Sequence, residues 1–174
     1  MSEPQPLVRR LGREDAEAYR AIRLAGLAEA PDAFAAVWEV EAERPLAHFE
    51  GLMSNLAVFG AFLDGRLVGI AGFVREAGPK LSHKGTLWGM YVDPAARRYR
   101  IGGALVQAVL DHAAGEVEQV LLAANTTNAA AIRLYERLGF VAYGREPQAL
   151  KGANGYSDDL LMVKFLNGRG PDGA

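Results

Sequence analysis

The sequence predicts a mixed α/β fold: a central, mostly antiparallel sheet with helices packed on it. Three observations point there. Two β-rich runs, Ala57–Leu63 and Arg66–Val74, flank Asp64-Gly65, the dipeptide of a tight hairpin turn. A third run, Thr86–Val92, stops at Pro94, and a helical pattern separates it from an apolar run at Val117–Leu122, which is a strand–helix–strand crossover. Between them lies VDPAARRYRIGGAL, Val92–Leu105, a turn with three arginines and two glycines that opens the helix.

Taken in order, Leu7–Leu11 reads as a short strand, and Arg13 to about Leu27 as a helix with Tyr19, Ile22 and leucines at three- and four-residue spacing. Pro31 and Pro45 bracket Asp32–Glu43, which is either helical or a partly ordered lid. After the hairpin and the third strand, Ile101, Leu105, Val109 and His112 recur every four residues and define a helix over Ile101–Ala114. Asn128–Leu138 is the next helix, ended by Gly139 as a left-handed cap. Phe140–Tyr143 and Leu160–Phe165 close the sheet as short strands. The expected order is β-α-α-β-β-β-α-β-α-β-β, with about six to seven strands and about four helices. Residues 1–166 are expected to form one domain, with 167–174, rich in glycine and proline, as a flexible tail.

Composition narrows the function. The chain has 174 residues, 50% hydrophobic and 23% charged, an ordinary globular balance. It has no cysteine, which removes disulfides, zinc-thiolate sites and a cysteinyl acyl-enzyme. A net charge of −2 without blocks of like charge argues against nucleic acid or a membrane surface as partner. No run approaches the roughly 20 apolar residues that span a bilayer, so a cytoplasmic protein is expected. The cluster Arg97, Arg98, Arg100 in this mildly acidic chain points to a pocket for one anion. Backbone N–H groups at a helix start, a positive dipole end and glycines that let the backbone approach closely all suit a phosphate. A plain strand-to-helix turn with solvated arginines is the competing reading, and glycine spacing alone does not separate the two. The turn is neither a Walker loop nor a dinucleotide fingerprint, because no Gly-Lys-Ser/Thr follows and GxGxxG spacing is missing.

Val92, Pro94, Arg97, Ile101, Gly102 and Leu105 resemble the V-x-P-x-x-R-G-x-G-I-G-x-x-L turn of the GNAT family of N-acetyltransferases. Asn128, Ala131, Leu134, Tyr135, Gly139 and Phe140 resemble the same family's N-x-x-A-x-x-L-Y-x-x-x-G-F segment, the more specific of the two. The resemblance runs from about Leu56 to Phe165 and implies the GNAT fold for the single domain. It implies that Arg97, Arg98, Tyr99, Arg100, Ile101, Gly102 and Gly103 wrap the pyrophosphate of acetyl-CoA. It further implies that Asn128 contacts the pantetheine arm, and that the Tyr135 hydroxyl protonates the leaving thiolate. The strand before the turn would splay from its neighbour, and Met90, Tyr91 and Val92 would offer backbone groups to the thioester. Arg98 and Arg100 stand where the family usually has glycine. Arg100 is expected in an ordinary right-handed conformation, its guanidinium adding a contact to phosphate; the alternative is a side chain that crowds the ligand.

Acetyl transfer also needs a base. Many family members place a glutamate where this chain has Thr86, which takes no proton at neutral pH. His83 is therefore the expected titratable candidate, with a water chain as the alternative. Glu39, Glu41, Asp158 and Asp159 are further carboxylates, read first as solvated surface groups. Trp38, Trp88 and Tyr156 are candidate acceptor-pocket aromatics, and Gly89 leaves room beside Trp88. The expected activity is direct, metal-free transfer from acetyl-CoA to a small-molecule primary amine. A protein N-terminus or lysine is the alternative acceptor, and a catalytically silent acyl-CoA-binding protein the alternative class. A homodimer is compatible with the sequence.

Overall fold

The computed structural model describes residues 5–168. Its seven strands form one sheet in the order β1-β2-β3-β4-β5-β7-β6. They are β1 (Leu7–Arg10), β2 (Ala57–Leu63), β3 (Arg66–Arg75), β4 (Lys84–Val92), β5 (Gln119–Asn125), β6 (Val141–Gly152) and β7 (Gly155–Phe165). The helices are α1 (Ala16–Glu29), α2 (Trp38–Ala42), α3 (Leu46–Asn55), α4 (Ile101–Ala113) and α5 (Ala129–Arg137). All strand pairs are antiparallel except β4 and β5, which α4 connects as a crossover. The mixed fold read from the sequence is therefore present, with seven strands and with five α-helices where about four were expected.

The expected hairpin forms because Asp64 and Gly65 both adopt positive φ, 49° and 77°, the turn whose twist matches the flanking strands. β3 is buried on both faces along Leu67–Phe73, as a central strand must be. On one face α4 and α5 enclose Phe59, Phe73, Leu87, Ile101, Leu105, Tyr135, Phe140 and Met162. On the other, α1 and α3 enclose Tyr19, Ile22, Phe49, Met53, Ile70 and Tyr91. Gly26 lets α1 lie against the Tyr91 ring, whose Cγ stands 2.9 Å from where a Cβ would project.

Two expectations need correction. The region after Pro31 holds only a 3-10 turn, Pro31–Ala33, and the five-residue α2, while a further helix, α3, starts directly after Pro45. Proline serves there as a helix boundary, since a missing N–H is harmless at a helix start. The last two strands are much longer than expected, 12 and 11 residues, and join through Ala153 and Asn154. Irregular pairing between Glu146 and Leu150, with Gln148 at φ 53°, hides the period of β6. Of the expected tail, Asn167 and Gly168 are described, Asn167 donating to Glu118; residues 169–174 lie outside the described residues.

The start of α1 is fixed by Asp15, which accepts from Arg9 Nη1 and Nη2 at 2.7 and 2.8 Å and from the Gly12 N–H at 2.8 Å. The Arg9 hydrogen bonds hold the Asp15 carboxyl below its usual range, against burial, with the Gly12 N–H assisting. A depressed carboxyl contributes its full stability above the unfolded value of about 3.9 and loses it as pH falls through the folded value. Asp15→Asn is thus expected to lower the urea midpoint at pH 7 and to weaken the loss of stability on acidification below about pH 4. Parallel wild-type and variant midpoints across that window would contradict this role.

Candidate active site

β4 and β5 pair at only three positions, Lys84↔Gln119, Gly85↔Val120 and Thr86↔Leu121. Past Thr86 the strands diverge. The cause lies in β4, where Trp88 opposes Gly72 and Tyr91 opposes Ile70, so Gly89 and Met90 together face Ala71. This is a one-residue bulge, and its first residue, Gly89, sits at φ 62°, a left-handed conformation that glycine adopts without strain. The bulge also switches faces: Trp88 packs with the α1–α3 core, yet Met90 packs with the α4–α5 core. Alternation runs back from Asp93, whose N–H bonds Val68 of β3 at 2.9 Å. It turns the main chain of Tyr91 onto β3 and the main chains of Met90 and Val92 outward, into the gap. Of the three expected backbone contributors, two are therefore aimed at the gap; Tyr91 is not.

The gap opens into a cleft of about 140 Å³. Trp88, Gly89 and Met90 form one wall, and Leu122, Ala123, Ala124 and Asn125 the other. Asn128, Ala131 and Tyr135 of the α5 segment approach from one side, Ala33, Phe34 and Asp159 complete the lining. The volume equals a few waters, enough for the reacting end of a ligand whose remainder lies along the surface. Asn128 caps α5 through Oδ1, which accepts from Ala131 N–H at 3.2 Å, and the residue lines the cleft. Gly139 at φ 87° and the Phe140 N–H to Tyr135 carbonyl bond (3.0 Å) end the helix and set the Tyr135 ring on Phe140. Tyr135 is 6% exposed, and burial pushes its hydroxyl up to about 12, so the proton stays on at neutral pH. That hydroxyl makes no hydrogen bond among the described residues.

At the arginine turn, Pro94–Tyr99 is a 3-10 segment capped by Asp93, and α4 begins without a side-chain cap. Its first N–H groups, from Ile101 to Gly103, are therefore open to an anion. Gly102 is required by packing, since a Cβ there would meet Leu134 Cδ2 at 3.0 Å and Met90 Cε at 3.2 Å. Arg100 departs from expectation: it takes the left-handed conformation, φ 55° and ψ 23°. The chain keeps the backbone that glycine would supply and accepts a strain of about 1 kcal/mol. Its guanidinium has no partner among the described residues. Arg98 lies over the Tyr99 ring, 4.7 Å from its centroid, and donates to the Tyr99 hydroxyl.

Arg97 is engaged elsewhere. Its Nη2 donates to both Glu29 carboxylate oxygens at 2.9 Å, and its Nε donates to the Val92 carbonyl at 3.3 Å. The Tyr91 hydroxyl lies beside the same pair, pushed up to about 12 by burial and by the neighbouring Glu29 carboxylate. Arg97 therefore ties the turn to the end of α1.

His83 is not brought to the cleft. It lines a separate hollow with Arg75, Ser82, Glu116 and Glu118, and its carbonyl accepts from Glu118 N–H at 2.8 Å. Gly89 is six residues further on, roughly 20 Å along an extended strand. Thr86 donates to Glu76 Oε1 at 2.9 Å in a third hollow. Of the candidate aromatics only Trp88 lines the cleft; Trp38 and Tyr156 are exposed. Sequence reasoning missed Phe34, which stacks on Arg23 with the guanidinium 5.3 Å from its centroid, and Arg23 itself, whose Nη1 stands 3.6 Å from a Cβ placed on Gly89. The signal for Phe34 was the proline-bracketed segment, read as either helical or a lid; Arg23 lay within the expected first helix. Among the described residues no His/Asp/Glu group is placed to hold a metal ion, and no helix is long and apolar enough to cross a membrane.

Known proteins share this architecture. A mycothiol acetyltransferase of Brachybacterium faecium is 30% identical over 135 residues, 77% of this chain; the chain spans 40% of that relative's length. The ribosomal-protein-alanine N-acetyltransferase of Brucella melitensis superposes with a TM-score of 0.77 at 26% identity, covering 92% of this chain and 99% of that one. A GNAT acetyltransferase of Streptococcus pneumoniae (TM-score 0.83, 22% identity, 93% and 99% covered) and yncA of Salmonella typhimurium, solved with its cofactor acetyl-CoA (0.75, 23%, 93% and 94%), share the fold. The profile of the acetyltransferase (GNAT) family matches residues 24–140, a stretch that includes the splayed strand, the arginine turn and the α5 segment. The chain belongs to the GNAT acetyltransferase family.

Proposed function

We propose that this chain is an acetyl-CoA-dependent N-acetyltransferase that acylates a primary amine by direct transfer in a ternary complex, with a small molecule as acceptor. The observation that carries the reading is the cleft between β4 and β5, lined by unpaired strand backbone, Asn128 and Tyr135, with the uncapped start of α4 following β4 through the arginine turn. The N–H groups of Ile101 to Gly103, with Arg100 and Arg98 beside them, are the donor set for the pyrophosphate. The Asn128 amide and the outward main chain of Val92 are partners for the pantetheine amides. The Met90 N–H is the donor for the thioester carbonyl, where negative charge develops in the transition state. Attack by the amine forms the C–N bond and breaks the C–S bond, and Tyr135 delivers a proton to the thiolate. The small cleft and the 31–33 turn held against β5 by Asn125 Nδ2, 3.3 Å from the Asp32 carbonyl, favour a compact acceptor over a threaded peptide.

The direct test is release of CoA from acetyl-CoA in the presence of pooled amines, amino acids and peptides, read with a thiol-reactive dye. The chain has no cysteine of its own to react. Release with at least one amine supports the reading. Acetyl-CoA binding without release on any pool would replace it with the silent binding protein.

Tyr135→Phe is expected to lower kcat by about 10- to 100-fold while leaving the Kd for acetyl-CoA within about twofold. Because the hydroxyl holds its proton to about 12, wild-type kcat is expected to show no descending limb up to pH 10. Unchanged kcat in the variant would remove Tyr135 from the mechanism.

Arg100→Gly keeps the left-handed backbone and removes the guanidinium. We expect thermal stability at or slightly above wild type, and acetyl-CoA binding weaker by about fivefold by titration calorimetry, the worth of one exposed charge-assisted contact. Tighter binding by the glycine variant would show that Arg100 crowds the phosphates.

A further inference from the structure

The register of β5 and β7 sorts the cleft's lining by face. Asn125 opposes Asp159 and Ala123 opposes Leu161, so these four side chains share one face of the sheet. Leu122, Ala124 and Met162 point to the other face, into the core that also holds Tyr135. Asp159 and Tyr135 nevertheless line one cleft, because the gap beyond Thr86 passes through the sheet. A thioester held on the Tyr135 side is thus met by its nucleophile from the Asp159 side.

We propose that Asp159 is the catalytic proton acceptor for the incoming ammonium, so that the acceptor is a cationic amine received on the face of the sheet that carries Asp159 and Trp88. The proposal rests on the transferase reading above. Two adjacent aspartates in β7 have opposite fates. Asp158 is consumed by structure, accepting from Arg145 Nη2 at 2.6 Å and from the Gln148 N–H at 2.8 Å. Asp159 has neither a hydrogen bond nor an ion pair among the described residues, and it lines the cleft. Burial, then Glu146 directly opposite on β6, then Asp158, raise its carboxyl above the usual range, which makes it a better proton acceptor than a free surface carboxylate. The other charged or titratable groups around the cleft are Arg23 against Gly89, Asp32 at the 31–33 turn and Tyr135 from α5.

The protons balance. Of the three on the ammonium, one passes to the Asp159 carboxylate and on to solvent, which frees the lone pair that attacks the carbonyl carbon. A second leaves the nitrogen as the tetrahedral centre collapses and replaces the one Tyr135 gives to the thiolate. The third remains on the amide product. Neither Thr86 nor His83 is needed.

The test compares wild type with Asp159→Asn, Asp159→Glu and, as a control carboxylate outside the cleft, Glu76→Gln. Each is assayed for CoA release from pH 6 to 9.5 with the fastest of a panel of monoamines, diamines, amino acids and dipeptides. Acetyl-CoA affinity by calorimetry reports whether each variant is folded. Asp159→Asn is expected to bind acetyl-CoA within twofold of wild type and to lose about 100-fold or more in kcat/KM for the amine at pH 7. It should regain rate as pH rises and the amine sheds its own proton. Asp159→Glu is expected to recover at least a tenth of wild-type kcat/KM, and Glu76→Gln to stay within twofold. An Asp159→Asn rate within threefold of wild type with the same pH profile overturns the role of Asp159 and leaves the transferase reading intact. Absence of CoA release by wild type with every amine overturns the transferase reading, and this inference with it.

Discussion

One extra residue in β4 organises this molecule. A regular strand from Lys84 to Val92 would continue pairing with β5 and close the sheet; the bulge at Gly89 and Met90 bends it away after three paired positions. Main-chain groups that would have joined a ladder are left unpaired, which a buried backbone tolerates only when something else supplies partners. The same bulge puts Trp88 on one face and Met90 on the other, so the hole in the sheet acquires two chemically different mouths. Gly89 permits this because its φ of 62° carries no Cβ penalty.

Around that hole the remaining elements act as supports. The Arg97–Glu29 pair and the Tyr91 hydroxyl tie the arginine turn to the end of α1, from which the chain enters the 31–33 turn roofing the cleft. Arg97 matches the family motif and also serves this internal role. The left-handed Arg100 shows the same logic in reverse: a residue that breaks the motif keeps the motif's backbone.

What the sequence made legible follows from local rules. Asp64-Gly65 announced a hairpin because both residues tolerate positive φ, and Asn128 with Gly139 announced the two ends of α5 because caps are local chemistry. The bulge at Gly89 was not legible, since a single inserted residue reads as ordinary strand composition until its partner is known. α3 was missed because Pro45 reads as a breaker, although it is a permitted helix start. The length of β6 was hidden by its exposure on both faces, which leaves no apolar period, and by the irregularity at Gln148. Asp159 reads from sequence as a solvated carboxylate because its place at the cleft depends on the β5–β7 register, a long-range property. His83 failed for the converse reason: nearness in sequence to β4 placed it at the strand's far end.

We propose that the gap between β4 and β5 receives the thioester, with coenzyme on the Tyr135 face and acceptor on the Asp159 face. A crystal structure of the chain with acetyl-CoA tests it most directly. The pantetheine arm is expected between β4 and β5, the acetyl carbonyl oxygen within hydrogen-bond distance of the Met90 N–H, and the pyrophosphate on the N–H groups of Ile101 to Gly103. Coenzyme bound outside the gap, or phosphates that leave the start of α4 untouched, would contradict it.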